Sequence, residues 1–312
     1  MKTKELGTTG IQIPPIVFGG NVFGWTVDEK QSHALLDEMV ERGLNTIDTA
    51  DSYSMWVPGN SGGESETIIG NWLKKEPSRR EKVVIFTKVG TELSEGRGGL
   101  SKRWITEAVE DSLRRLQTDT IDVYFSHWPD PNTPIEETLS AYQTLIEQGK
   151  VRAIGASNYN VGLLREALET ADAKNLPRYQ VIQPEYNLYD RDDFNDELQN
   201  LCAKEAIGVV TYFSLASGFL SGKYRSADDI VGKGREEMLK KYFDDRGKRI
   251  LAALDAVAER TGAKQAEIAI AWLIAQATVS APIVSATNSN QLKSLFNAAE
   301  LQLSEEDLQA LT

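Results

Sequence analysis

The chain has 312 residues, a single cysteine and a formal net charge of −12. A chain this long can bury a large core without disulfides. One cysteine, Cys202, can close no internal bridge and build no thiolate cluster, so a reducing, cytoplasmic setting is expected. The acidic balance argues against a nucleic-acid partner, which would need a basic face for phosphates. The opening MKTKELGTTG carries no apolar leader, and the most apolar run, IAIAWLIAQA at 268–277, is about half the ~20 residues a bilayer span requires. Neither a secretion signal nor a membrane partner is expected.

In chain order, KELGTTGIQI predicts a short hairpin with Gly10 in its turn, closing one end of the domain. Eight β-branched runs follow: PIVFGG (15–20), LNTIDTA (44–50), KVVIFTK (82–88), TIDVYFSH (120–127), VRAIGAS (151–157), YQVIQPE (179–185), IGVVTYF (207–213) and APIVS (281–285). Several are nearly continuous apolar runs, as parallel strands buried on both faces require. Amphipathic helical segments lie between them. The first, EKQSHALLDEM, carries His33 on what reads as a surface face. GNSGGE (59–64) reads as a flexible turn. Ser101 precedes the stripe Ile105, Val109, Leu113 and Leu116. Thr133-Pro134-Ile135-Glu136 predicts a capping threonine, a proline at the first helical position and a capping box, with Gly149 ending that helix. Ser304 and Asp307 predict a second capping box near the end of the chain. Eight strand–helix units, most about thirty residues apart, and no linker predict one (β/α)8 TIM barrel over residues 1–312, with an N-terminal hairpin. Two long loops, MWVPGNSGGESE (55–66) and the stretch from Ser214 to about Asp245, fall on one rim, where long loops usually carry function.

The polar residues fall at the carboxyl ends of these strands, the rim on which barrel enzymes build their sites. Strand two ends at Asp48 and runs on to Tyr53, strand three ends at Lys88, and strand four at His127. Strand five gives Ser157 and Asn158, strand six Gln183, strand seven Tyr212 and strand eight Ser285. A tyrosine hydroxyl is a poor acid near neutrality, with a pKa of about 10. An adjacent ammonium is expected to lower it, a nearby carboxylate to hold that ammonium, and a histidine to orient a carbonyl oxygen. Such a set suits protonation of an oxyanion formed when hydride reaches a carbonyl carbon. It holds no hydride of its own, so a nicotinamide must supply one. The two histidines stand at unrelated places, and no Cys/His ligand spacing exists, so no metal is expected. GGNVFG (19–24) lacks both a phosphate-loop Lys-Ser/Thr and a G-x-G-x-x-G pattern. Its glycines suit close approach of a ligand to the backbone.

In order, NTIDTADSY (45–53), FTKVG (86–90), VYFSHWPD (123–130), GASNY (155–159), VIQPEYN (181–187) and TYFSLASGFLSGKY (211–224) resemble the motifs of the aldo-keto reductase family across essentially the whole chain. The resemblance implies that Asp48, Tyr53, Lys88 and His127 are catalytic. It implies that Ser157, Asn158 and Gln183 hold the nicotinamide amide while Tyr212 stacks on the ring. Phe213, Ser214, Leu215, Ala216, Gly218, Leu220 and Lys223 would follow the pyrophosphate, with Gly20 and Asn21 near the nicotinamide. Ser285, Ala286, Thr287 and Gln291 would border the adenine end. NADP(H) is the favoured cofactor by this resemblance. Yet Ser285 and Gln291 stand where many members carry the lysine and arginine that clamp a 2′-phosphate, so NAD(H) is also compatible. The chain ends soon after LSEEDLQAL, without the long loop that covers the pocket in some members. Phe23, Trp25, Trp56 and Trp128 are therefore the expected pocket walls for a small carbonyl compound. Two other readings stand beside this one: a barrel lyase forming a Schiff base on Lys88, and a nicotinamide-sensing module with negligible turnover. No oligomeric state can be read from the pattern.

Overall fold

The computed structural model describes residues 1–232 and 234–311. Its first elements are the antiparallel pair β1 (Lys4–Glu5) and β2 (Gln12–Ile13). Eight parallel strands follow: β3 (Val17–Gly19), β4 (Thr46–Asp48), β5 (Val84–Val89), β6 (Ile121–Ser126), β7 (Val151–Ser157), β8 (Val181–Gln183), β9 (Gly208–Thr211) and β10 (Ala281–Val284). They pair in sequence order, and β10 returns to β3 to close a barrel. Each expected strand is present, trimmed at its ends. The fold is the (β/α)8 TIM barrel that the alternating pattern predicts.

The helices are α1 (Glu29–Glu41), α2 (Glu64–Lys75), α3 (Lys102–Leu116), α4 (Ile135–Glu147), α5 (Val161–Lys174), α6 (Asp196–Lys204), α7 (Glu236–Leu239), α8 (Asp245–Thr261), α9 (Gln265–Ala275), α10 (Ser289–Glu300) and α11 (Glu305–Ala310). Side-chain oxygens cap most of the longer ones. Ser101 accepts from Trp104 N at the start of α3, and Ser304 and Asp307 make the reciprocal box that starts α11. The start of α4 differs from expectation. Thr133 spends its hydroxyl on Asp130, 2.7 Å away, and neither Thr133 nor Glu136 caps the helix. Gly149 does adopt the left-handed conformation (φ 72°) expected just past the end of α4. Among the described residues no helix is long and apolar enough to cross a membrane.

Two apolar layers follow from strand alternation. Outward-facing residues such as Ile47, Ile85 and Ile182 join the large core beneath the helices. Inward-facing Val17, Phe86, Val123, Phe125, Ala153, Val181, Val210 and Ala281 fill the barrel, where Leu6, Ile11 and Ile13 of the hairpin plug the lower end. Gly155 makes room within this filling, because a Cβ there would lie 2.4 Å from the Phe125 ring.

Three further sequence expectations change on folding. His33 is buried: α1 packs on α2, so the imidazole donates from Nε2 to Ile68 O (3.0 Å) and accepts from Lys75 Nζ (2.7 Å) at Nδ1. The loop at 55–66 is shorter than expected, because α2 begins at Glu64. Its GNSGGE end forms an ordered turn in which the Glu64 carboxylate accepts from Ser61 N and Gly62 N. Within the stretch after β9, Ala216–Ser221, Ala227–Ile230, Glu236–Leu239 and Lys240–Tyr242 form short helical turns.

Candidate active site

The phase that fills the barrel also builds its rim. Two residues beyond Phe86 on the inner face of β5 is Lys88; two beyond Phe125 is His127; two beyond Val181 is Gln183; two beyond Val210 is Tyr212. The inner layers are apolar and the top one is polar. Register then sets the heights, pairing Asp48 with Phe86, Lys88 with Phe125, and Ser157 with Gln183.

Lys88 Nζ is fully buried and donates to both Asp48 carboxylate oxygens (2.8 Å each), to Thr49 O (2.8 Å) and to Tyr53 Oη (2.9 Å). Tyr53 Oη in turn donates to Asp48 Oδ2 at 3.0 Å, and Gln183 Nε2 donates to Asp48 Oδ1 at 2.9 Å. The ammonium thus has all its protons engaged, and its charge is compensated where an unpaired ion would be costly. Burial lowers the Lys88 pKa, while Asp48 opposes that shift. The phenol departs from expectation: burial first, and then the Asp48 charge, push Tyr53 well above its ordinary value. A lone ammonium would favour phenolate, but here a carboxylate cancels it, and the resting hydroxyl keeps its proton.

His127 lies beside this cluster, its ring centroid 6.1 Å from that of Tyr53 and stacked on Trp128 at 5.8 Å. Burial, and then Lys88, hold the imidazole well below its usual pKa, so it is neutral near pH 7. Thr91 Oγ1 lies 3.1 Å from His127 Nδ1. If the hydroxyl donates there, the ring proton sits on Nε2. Sequence reasoning missed Thr91, although a hydroxyl two residues past the end of β5 was a usable signal.

Of the expected pocket walls, Trp56 and Trp128 are each 48 % exposed. Trp25 meets Trp56 edge-on at 5.6 Å, and Trp56 meets Tyr53 at 6.2 Å. Phe23 is not a wall. It is fully buried and stacked on Phe18 at 5.6 Å, where it supports the loop from below.

The proposed cofactor residues form a linked arc. Ser157 Oγ donates to Gln183 O (2.7 Å), Asn158 Nδ2 to His127 O (2.8 Å), and Tyr212 Oη to Asn158 Oδ1 (2.7 Å). Amide and hydroxyl oxygens keep a second lone pair, so this arc can still meet a carboxamide, and the half-exposed Tyr212 ring offers a face beside it. Along the following loop, Phe213, Ala216 and Ser217 have positive φ (52°, 48°, 58°) and precede Gly218 (φ 100°). Such strained backbone clusters at ligand clamps, and successive left-handed residues can aim N–H groups at an anion. Ser214 anchors the loop through Ile283 O (2.9 Å), Leu215 is partly exposed, and Lys223 Nζ would lie 3.4 Å from a Cβ placed on Gly218.

The side chains of Ala216, Leu220 and Ala286 are fully buried in the core, so only their backbones can border a ligand. Gly20 likewise serves the barrel, since a Cβ there would come within 3.0 Å of Asp48 O and Ser65 Oγ. Asn21 Oδ1 accepts from Ser285 Oγ at 2.5 Å. Gln291 Oε1 accepts from Thr287 N at 2.8 Å and from Thr287 Oγ1 at 3.1 Å. Among the described residues no group of acidic, histidine or cysteine side chains is placed to hold a metal ion.

A closed parallel barrel with a buried Asp–Lys pair and a tyrosine hydrogen-bonded to it at the carboxyl rim is a (β/α)8 barrel with a polar site where such barrels build their active sites. Residues 15–312 match the model of the aldo/keto reductase family, and the chain belongs to that family. It is similar to the uncharacterized oxidoreductase YrpG of Bacillus subtilis (33 % identical, covering 100 % of this chain and 95 % of the relative). It is also similar to protein tas of Escherichia coli (31 %, covering 99 % and 96 %). A third relative is a probable voltage-gated potassium channel subunit beta of Arabidopsis thaliana (32 %, covering 96 % and 92 %). The family and its named oxidoreductases make this chain an oxidoreductase of the aldo/keto reductase type, a family that generally uses NAD(P)H.

Proposed function

We propose that the protein reduces an aldehyde or ketone to an alcohol, with Tyr53 as the proton donor. The observation that carries this reading is the Tyr53 hydroxyl held 2.9 Å from Lys88 Nζ and 3.0 Å from Asp48 at the barrel mouth. When bound, the reduced nicotinamide supplies the hydride. Tyr53 gives its proton to the carbonyl oxygen as that oxygen becomes an alkoxide. The Lys88 ammonium then faces the phenolate left behind, and Asp48 keeps Lys88 charged and in place. A neutral His127 carrying its proton on Nε2 directs the carbonyl oxygen toward Tyr53. Ser157, Asn158 and Gln183 are proposed to hold the nicotinamide amide and Tyr212 its ring. Phe213, Ser214, Leu215 and Gly218, with the backbones of Ala216 and Leu220, follow the pyrophosphate beside Lys223. Gly20 and Asn21 border the nicotinamide, and Ser285, Ala286, Thr287 and Gln291 the adenine end. NADP(H) is the favoured cofactor, with Lys223 as a cation for its phosphates. NAD(H) is compatible, because Ser285 and Gln291 are neutral.

The buried, fully engaged Lys88 amine speaks against a Schiff-base lyase, which needs a free nucleophile. The relative named as a channel subunit favours a second reading, a binding module with negligible turnover. Titration with NADPH and NADH, followed by turnover of a carbonyl panel, separates these readings. Oxidation of either cofactor by a carbonyl supports the reductase. Cofactor binding with no turnover on any carbonyl supports the module, and borohydride trapping of substrate on Lys88 supports the lyase.

A further inference from the structure

The strained loop after β9 is held at both ends by one pair of side chains that the proposed chemistry does not use. Asn187, in the loop after β8, is fully buried. Its Oδ1 accepts from Tyr189 N and Asp190 N at 2.8 Å each, the turn that an asparagine side chain favours. That turn needs the oxygen alone, yet the amide nitrogen is committed as well. Nδ2 donates to Asp190 Oδ2 at 2.9 Å and, across to the next strand end, to Phe213 O at 3.1 Å. Asp190 Oδ2 also accepts from Tyr242 Oη at 2.8 Å, and Tyr242 stacks on Phe219 with ring centroids 5.2 Å apart. Lys241 Nζ holds the other carboxylate oxygen at 2.9 Å. Phe213 and Phe219 bracket Ala216, Ser217 and Gly218, all of positive φ.

Phe213 itself has φ 52°, which a bulky residue adopts where its neighbours enforce it. Its ring is 40 % exposed, so ring packing supplies little of that enforcement. Its carbonyl is fixed twice, by Ala216 N at 2.7 Å and by Asn187. The first bond moves with the loop; the second ties the loop to the barrel. Ser214 Oγ on Ile283 O holds the next side chain rather than this peptide. The C=O and N–H of a trans peptide point in opposite directions, so holding Phe213 O on Asn187 turns the Ser214 N–H away from the anchor and fixes it there. A left-handed run fixed in this way can offer N–H groups to an anion without having to be ordered at the moment of binding.

We infer that Asn187, oriented by Asp190, is a positioning residue for the nucleotide: it holds Phe213 left-handed and so sets the backbone from Phe213 to Gly218 before the cofactor arrives. The inference rests on the reading of this loop as the pyrophosphate's, and both residues act through the loop.

The test reads NADPH and NADH affinity of the full chain by quenching of tryptophan fluorescence. Asn187→Ser keeps an oxygen for the turn at Tyr189 and Asp190 but is too short to reach Phe213 O. It should raise the Kd of whichever nucleotide binds about tenfold, because the ordering of the loop is then charged to binding. Asparagine tolerates a positive φ unaided, so in a Phe213→Asn background the same change should cost about threefold or less. A general loss of stability would cost the same in both backgrounds. Asp190→Asn removes the carboxylate that orients the amide and should weaken binding about threefold, which keeps the test open if Asn187→Ser does not fold. Unchanged affinity in folded Asn187→Ser, or in Asp190→Asn where the first variant does not fold, would overturn the inference, as would an equal loss in both backgrounds. Abolished binding in Phe213→Asn alone would also overturn it, because the loop would then depend on the phenylalanine ring and not on its backbone. Wild-type protein that binds neither nucleotide would sink the cofactor reading and this inference with it, whereas variants that bind like the wild type strike the inference alone.

Discussion

The two ends of this barrel are made from the same strands and differ in what the chain asks of them. At the floor, Leu6, Ile11 and Ile13 from the hairpin meet inward-facing Val17, Val123 and Val181 in an apolar plug. At the rim the same inner faces carry Asp48, Lys88 and Gln183, joined by hydrogen bonds, and Tyr212, which donates to Asn158. Backbone conformation differs in the same way. Left-handed Gln117 and Asn175 cap helix ends that feed the floor, an ordinary use of that geometry. Left-handed Ser54, Asn158, Phe213, Ala216 and Ser217 lie on rim loops and cap no α-helix. Strain of that kind costs about 1–3 kcal/mol per residue and persists where surrounding structure enforces it. The floor stabilises the barrel through shape alone, whereas the rim holds charge and strain that its neighbours must offset.

This contrast can be broken most severely at the buried ion pair. Lys88→Met should leave the Asp48 carboxylate buried without its cation, lowering stability by about 3–5 kcal/mol in denaturant titration as well as abolishing turnover. Leu6→Ala at the floor should lower stability by about 2–5 kcal/mol through an unfilled cavity, while kcat of the folded enzyme stays unchanged. Loss of activity at full occupancy of the fold would show that the two ends are not separable.

A smaller effect is expected at Thr91. Thr91→Val should cut kcat by about tenfold or less, the loss of a single oriented hydrogen bond. The chain has only two histidines, so the tautomer of each can be followed by nitrogen NMR. In Thr91→Val the His127 ring should lose its pure Nε2–H state, while His33, fixed by Ile68 O and Lys75, should not change.

The smallest effect concerns pH. Burial, and then the Asp190 charge, raise Glu185 to about 7, with Lys241 Nζ 3.5 Å away. An unfolded glutamate titrates near 4.3. The folded state therefore binds this proton more tightly, and the resulting stability is complete below about 4.3 and lost as pH rises through about 7. Glu185→Gln should remove that loss, so the melting temperature of the variant relative to wild type should rise between pH 5 and pH 8. A flat difference would contradict the shift.

What the sequence made legible was the order of short β-branched runs and the residues that end them. The eight strands, the hairpin with Gly10 in its turn and the rim placement of Asp48, Lys88, His127, Gln183 and Tyr212 at strand carboxyl ends follow from that order. Features set by contacts between distant elements were harder to read. His33 looked exposed because its burial depends on how α1 meets α2, and Phe23 looked like a pocket wall because its stacking on Phe18 is a tertiary fact. Thr133 satisfied a capping pattern, but Asp130 competes for its hydroxyl. The direction of the Tyr53 shift differs from expectation because burial, its largest cause, is a tertiary fact, and the Asp48 carboxylate enters the sequence reading only as the partner of Lys88.

Turnover of Tyr53→Phe tests the account most directly. Losing the donor oxygen while keeping the ring should lower kcat at least ~10²-fold, and NADPH should bind with nearly unchanged affinity. A variant that reduces carbonyls as fast as the wild type would contradict the account, because the proton would then come from somewhere other than residue 53.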